Sequence, residues 1–135
     1  MTQKYKRLRT VDLEQVLPVI ISSIPNGNPN SKDKVSATID DVLVKVSSLR
    51  LRTFAIHGTT CSSCGLQASF FAFENNGAHN WHLNLYGTKE DKDVLFTHDH
   101  TLARSAGGTD RIENTTTMCS PCNFTKSLTE PRHHN

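Results

Sequence analysis

The sequence has few of the features that would place it in a membrane or outside the cell. Its longest apolar stretch, residues 16–21, is interrupted by Pro18 and is far too short to span a bilayer. No charged start is followed by an apolar segment and a small-residue cleavage site, so neither a signal peptide, secretion nor membrane insertion is expected. Hydrophobic residues make up 36% and charged residues 21% of the 135-residue chain. Both shares lie below the usual globular values, which implies one domain, with at most a small appendage, and a thin core. A thin core in a short chain calls for a staple, either a metal or a disulfide. An excess of one charge is also missing, because a net charge of +2 is too mild to imply nucleic-acid binding by itself. Lys4, Lys6, Arg7 and Arg9 cluster near the N-terminus, and Arg50 and Arg52 flank Leu51. Taken alone, these groups read as a solvated tail and an ordinary polar face.

The cysteines carry the first positive signal. They form two pairs, Cys61-Ser-Ser-Cys64 and Cys119-Ser-Pro-Cys122, with none left over. A disulfide framework suits small secreted chains, and this sequence shows no export signal. A thioredoxin-like redox motif needs one such pair and leaves the second unexplained. Four thiolates in two knuckles make a closed tetrahedral set for structural Zn2+. The pairs lie farther apart than in the commonest zinc ribbons, which leaves room for a subdomain between them.

Along the chain, residues 1–9 read as a disordered basic arm. Thr10 is placed to cap a helix carrying Val11, Leu13, Val16, Leu17 and Ile20, which Pro18 should kink or stop early. Residues 25–31 are a polar loop. A second helix is predicted from Thr38, with Asp41 approximating a capping box and Ile39, Val42, Leu43, Val46 and Leu49 at helical spacing. Val42, Val44 and Val46 also alternate as a strand would. From residue 51 the texture turns to β. A hairpin is predicted from 70–74 and 79–86 about Asn75-Asn76-Gly77, with Trp81, Leu83 and Leu85 on one face, and a third strand over 93–98. The segments are thus a basic arm 1–9, a helical N-terminal segment 10–50, a zinc-stapled region 51–130 and a tail 131–135. The fold class is α+β.

The region after residue 94 concentrates the chemistry. It contains Asp99-His100, Gly107-Gly108-Thr109-Asp110, Ile112-Glu113-Asn114 and Cys119-x-x-Cys122-Asn123-x-x-Lys126. In this register the sequence resembles the HNH endonuclease family, and Cys61-x-x-Cys64 completes the zinc set found in many members. It departs from the family at Thr101-Leu102-Ala103, where many members carry Ile-x-Pro. The resemblance implies a ββα-metal motif: a strand to His98, a loop over 101–111, a strand over 115–118 and a helix over 121–129. It also implies that His100 is the general base, Asp99 and Asn123 hold a divalent ion, Mg2+ or Mn2+, and Asn114 pins the loop behind the histidine. The residue types suit those roles. An imidazole can accept a proton from water near neutral pH, and hard oxygen donors suit Mg2+ or Mn2+. The implied reaction is hydrolysis of DNA phosphodiesters to 5′-phosphate and 3′-hydroxyl ends.

Arg104, Arg111 and Lys126 flank the proposed site as candidates to hold DNA phosphates, although each alone would pass as solvated surface. His98 projects to the same side of its strand as His100 and is a candidate DNA contact, beside the plainer reading of an incidental strand histidine. His57, His79 and His82 read as surface or packing residues, and His133 and His134 as part of the tail. Two other classes remain open: a non-catalytic zinc-stapled nucleic-acid-binding module, and a CxxC thiol oxidoreductase. Small members of this kind resemble those carried by bacteriophages, so the expected location is cytoplasmic, in a bacterial host cell if the gene is phage-borne.

Overall fold

The computed structural model describes residues 6–75 and 80–129. Its centre is a five-stranded antiparallel sheet in the order β1-β4-β5-β6-β7. These strands are β1 (Lys6–Asp12), β4 (Ala68–Asn75), β5 (His82–Lys89), β6 (Lys92–His100) and β7 (Thr115–Cys119). Helices α1 (Leu13–Ser23) and α2 (Leu49–His57) and the two-stranded hairpin β2 (Ser36–Ile39)–β3 (Val42–Lys45) contribute the remaining core, and helix α3 (Ser120–Thr129) packs on β6 and β7. The α+β class read from the sequence is the class observed.

Alternation along the strands sets the two faces of the sheet. Phe71 and Phe73 of β4 stand opposite Leu85 and Leu83 of β5, and all four are buried with Phe96 of β6. Val16 and Ile20 of α1 and Leu51 and Phe54 of α2 join that cluster. The same parity places His98 and His100 beside Thr117 and Thr115 of β7, on the side met by α2. Thr97 and Asp99 face the other way, toward α3.

Three expectations are corrected. The basic segment is no loose arm where it is described, because Lys6–Asp12 pairs with β4. The reason lies far along the chain. Glu74 is fully buried, and Arg7 Nε meets its Oε2 at 2.6 Å, while Asn84 and Tyr86 also donate to the carboxylate. A buried carboxylate needs such partners, and one of them fastens the edge strand. Residues 1–5 lie outside the described part.

The predicted second helix is the β2–β3 hairpin. Asp40 and Asp41 adopt left-handed backbone angles, φ 50° and 66°, as a two-residue turn of this twist requires. Ile39, Val42, Val44 and Val46 are buried, whereas Leu43, which helical spacing placed on the apolar face, is 68% exposed. The period of two won because each strand is short and buries one side. The following helix starts later, where Ser48 accepts from Leu51 N at 3.1 Å.

The first helix is present, but Asp12 caps it instead of Thr10, and Asp12 N–H donates to Gln15 Oε1 at 3.4 Å. Pro18 does not stop it. Glu14 and Pro18 both face solvent, where water can take the carbonyl that loses its partner. Asn76 and Gly77 of the predicted turn, His79, and the tail 131–135 fall outside the described residues.

Candidate active site and metal centre

The four cysteines meet. Their Sγ atoms all lie within 4.8 Å of one another, with Cys64 Sγ 3.8 Å from Cys119 Sγ, and none forms a disulfide. A tetrahedral zinc with bonds of about 2.3 Å sets its sulfurs about 3.8 Å apart, so the cluster has the size the ion needs. Cys61 Sγ also accepts from the backbone N–H groups of Ser63 and Cys64, each at 3.4 Å, the turn closed by Gly65 N to Cys61 O at 3.0 Å. Burial opposes ionisation of Cys61, but backbone donors at Cys119, Cys64 and Ser63 outweigh it and bring its thiol down to about 6. Burial pushes Cys119 up to about 12. One sulfur is thus primed as a ligand, and a bound cation would draw the others to thiolate. The cluster ties the segment before β4 to the junction of β7 and α3.

His100 closes β6. Its Nε2 lies 2.8 Å from Asp110 Oδ1, and Arg104 Nε lies 3.7 Å from the same oxygen. The hydrogen bond from His100 holds the Asp110 carboxyl below the usual carboxylate range, helped by Arg104 and Lys32 against some desolvation. His98 neighbours His100 with ring centroids 5.7 Å apart. Burial first, then the charges of His100 and Arg50, push the His98 imidazole below the ordinary histidine range.

The two ends of the loop between β6 and β7 are joined by Asn114. Asn114 Oδ1 accepts from Thr101 Oγ1 at 2.7 Å and Leu102 N at 2.8 Å, and its Nδ2 donates to Leu102 O at 3.0 Å and Thr109 O at 2.9 Å. Both ends of the loop are thereby joined behind His100. Gly107 takes φ 96°, which favours glycine. At Gly108 the constraint is steric, since a Cβ there would stand 1.8 Å from Leu102 O. Gly108→Ala is therefore expected to break the loop geometry, lowering any cleavage at least tenfold while the zinc content stays at the parent level. Nicking rates measured beside metal analysis check this.

On the opposite face, Asn123 and Lys126 lie three residues apart on the side of α3 that meets β6. Asn123 Nδ2 donates to Thr97 Oγ1 at 2.8 Å, while its Oδ1 accepts no hydrogen bond among the described residues and keeps its lone pairs for a metal. Lys126 Nζ pairs with Asp99 Oδ2 and donates to His100 O at 3.2 Å. Asp99 and Asn123 thus offer hard oxygen donors of the kind a divalent ion takes, with an ammonium already at one carboxylate oxygen. Arg111 pairs with Glu113 at 3.5 Å.

Helix α2 buttresses the motif from behind. Thr53 Oγ1 donates to Thr115 Oγ1 at 2.9 Å, and His57 Nε2 lies 2.7 Å from Ile112 O. Two participants gave no separate signal in the sequence. Asp110 sits inside the Gly-Gly-Thr-Asp string, but its partner is set by how the loop folds. Asn30 accepts from Ile112 N at 2.7 Å and donates to Glu113 at 3.0 and 3.2 Å from more than eighty residues away.

Fold and site together define an α+β protein with four cysteines placed to hold a metal ion and a histidine–carboxylate pair at a strand end. Residues 87–128 match the family model described as HNH endonuclease. The matched segment runs from the end of β5 through most of α3, and the likeness of that segment points to a nuclease of the HNH family. Cys61 and Cys64 precede the matched segment, so the four-cysteine cluster joins it to the rest of the chain. Neither the curated proteins nor the solved structures return a match. Among the described residues no helix is long and apolar enough to cross a membrane.

Proposed function

We propose that the protein is a metal-dependent endonuclease that hydrolyses DNA phosphodiester bonds, with His100 as general base. The observation that carries this reading is the His100–Asp110 pair within the family-matched segment. An ionised carboxylate only accepts hydrogen bonds, so Nε2 bears the hydrogen and Nδ1 keeps the lone pair. Nδ1 then takes the proton of the attacking water, and Asp110 stabilises the imidazolium that forms. Asn114 keeps the imidazole in place by fixing the loop that carries Asp110.

Asp99 and Asn123 would hold Mg2+ or Mn2+. Such an ion supplies positive charge to the phosphate and to the departing sugar oxygen. Lys126 neutralises Asp99 and anchors α3 to the end of β6, while Arg104, Arg111, Lys126 and His98 are assigned to contact with DNA phosphates. The products are 5′-phosphate and 3′-hydroxyl ends. Four thiolates as zinc ligands suit reducing, cytoplasmic surroundings, and a phage-type origin accords with the small size of the motif.

Plasmid nicking in added Mg2+ or Mn2+ tests the reading. A folded, zinc-loaded protein that binds DNA and never nicks it is a binding module instead. Asp110→Asn probes the tautomer. A carboxamide can donate to Nε2 and move the hydrogen to Nδ1, so the rate should fall by a factor of about 10² to 10⁴ with zinc content unchanged. A parent-like initial rate for Asp110→Asn contradicts the role of the pair.

A further inference from the structure

The cleft that holds His98 and His100 is lined largely by residues that precede the family match. The loop over residues 28–34 is locked in place from two sides. Asn30 binds the Ile112–Glu113 turn as described above, and Arg52 Nη1 donates to Pro29 O at 3.2 Å and Ser31 O at 2.8 Å. Val35 N donates to Ser47 Oγ at 3.0 Å and closes the base of the loop. The result is a cleft of about 620 Å³ whose lining brings together His98, His100, Arg104 and Asp110 with Lys32, Lys34 and Lys45.

The electrostatics of this cleft are unbalanced. Lys32, Lys34 and Lys45 are exposed, and none pairs with a carboxylate of the described residues within salt-bridge distance. Arg52, in the lining, is 1% exposed, and its Nε and Nη2 have no hydrogen-bond partner among the described residues. A buried guanidinium with idle donors is costly unless an anion comes near. The lining carboxylates are Asp33, whose charge acts on Arg52 without bonding to it, and Asp110, which is already engaged by His100 and Arg104. A cleft lined by excess positive charge over a low-dielectric floor focuses its field on an incoming anion.

We propose that this cleft is a binding track for the phosphate backbone of the DNA strand being cut. Lys32, Lys34 and Lys45 take phosphates flanking the one presented to His100, and Arg52 both sets the loop and supplies buried positive charge beneath the strand. The inference rests on the nuclease reading above. Apart from the two histidines the lining has no aromatic ring, so the track grips backbone and does not stack bases.

The test uses the full zinc-loaded chain with His100→Ala, so that a short labelled DNA duplex survives the measurement. Anisotropy titrations over a range of NaCl give the affinity and its salt slope. Combined Lys32→Gln, Lys34→Gln and Lys45→Gln should weaken low-salt binding about tenfold or more and reduce the log–log slope by about 2 to 3. All three side chains are exposed, so zinc content and melting temperature should stay unchanged. Lys89→Gln with Lys92→Gln, at the far β5–β6 turn, should lose much less. An unchanged slope in the triple variant, or an equal loss per lysine in the distant pair, overturns the track while the nuclease reading stands. A parent protein that neither binds nor nicks DNA overturns the reading beneath it.

Discussion

Cys61→Ser is expected to give an unfolded or insoluble chain, and stripping zinc from the parent should unfold it. Cys61 is 2% exposed and belongs to the hydrophobic core as well as to the sulfur cluster. Its knuckle connects the segment before β4 to β7 and the first turn of α3. Without the ion, four thiols crowd one spot and the two ends of the sheet lose their tie. Structural zinc contributes on the order of 10 kcal/mol at comparable sites, as much as the whole net stability of a small domain. A hydroxyl at position 61 cannot replace a thiolate as a soft ligand, so most of that contribution should vanish. Circular dichroism together with metal analysis checks the outcome. Soluble, cooperatively melting protein with no zinc sinks the idea. The same experiment addresses a thiol oxidoreductase, since thiol titration of the native protein should find almost no reactive groups when zinc holds all four.

His100→Ala and Asn123→Ala should both abolish cleavage, but for different reasons. Removing the imidazole takes away the proposed proton acceptor, at a typical cost of about 10² to 10⁴ in rate, and leaves Asp99 and Asn123 untouched. Mn2+ should therefore bind His100→Ala as it binds the parent. Removing the Asn123 amide takes one of the two proposed protein ligands, and it also breaks the bond to Thr97, so affinity for Mn2+ should collapse. Asn123→Asp retains an oxygen donor and is expected to keep the ion, which separates ligation from the structural bond. Calorimetric titration with Mn2+ beside a nicking assay reads all three variants. Loss of Mn2+ by His100→Ala with retention by Asn123→Ala would reverse the assigned roles. Parent-like cleavage by both alanine variants would place the chemistry elsewhere.

The parts of this protein legible in its sequence are those where the partners come in one short string. Each CxxC pair brings two ligands at fixed spacing, so the four-sulfur cluster follows once the strands bring the pairs together. The Asp-His, Gly-Gly-Thr-Asp, Glu-Asn and Cys-Asn-Lys strings are likewise local, and their order along the chain is the order of strand, loop, strand and helix. Residues 36–45 were harder, because ten residues of alternating and near-helical apolar positions satisfy both periods. Burial against the sheet decided it, leaving Leu43 in solvent.

Tertiary structure alone decided the rest. Arg7 looked like part of a solvated arm because the buried carboxylate that orders it, Glu74, lies 67 positions away. Asp110 is visible as a residue, but its bond to His100 exists because Asn114 folds the loop back. Lys32, Lys34 and Lys45 line the same cleft as His98 and His100 because Asn30 reaches a turn 83 residues farther along and Arg52 holds the carbonyls of Pro29 and Ser31. Spacing encodes what neighbours in sequence can do, since the backbone fixes their geometry. Contacts across the chain carry no such local mark, because they depend on which surfaces the whole core brings face to face.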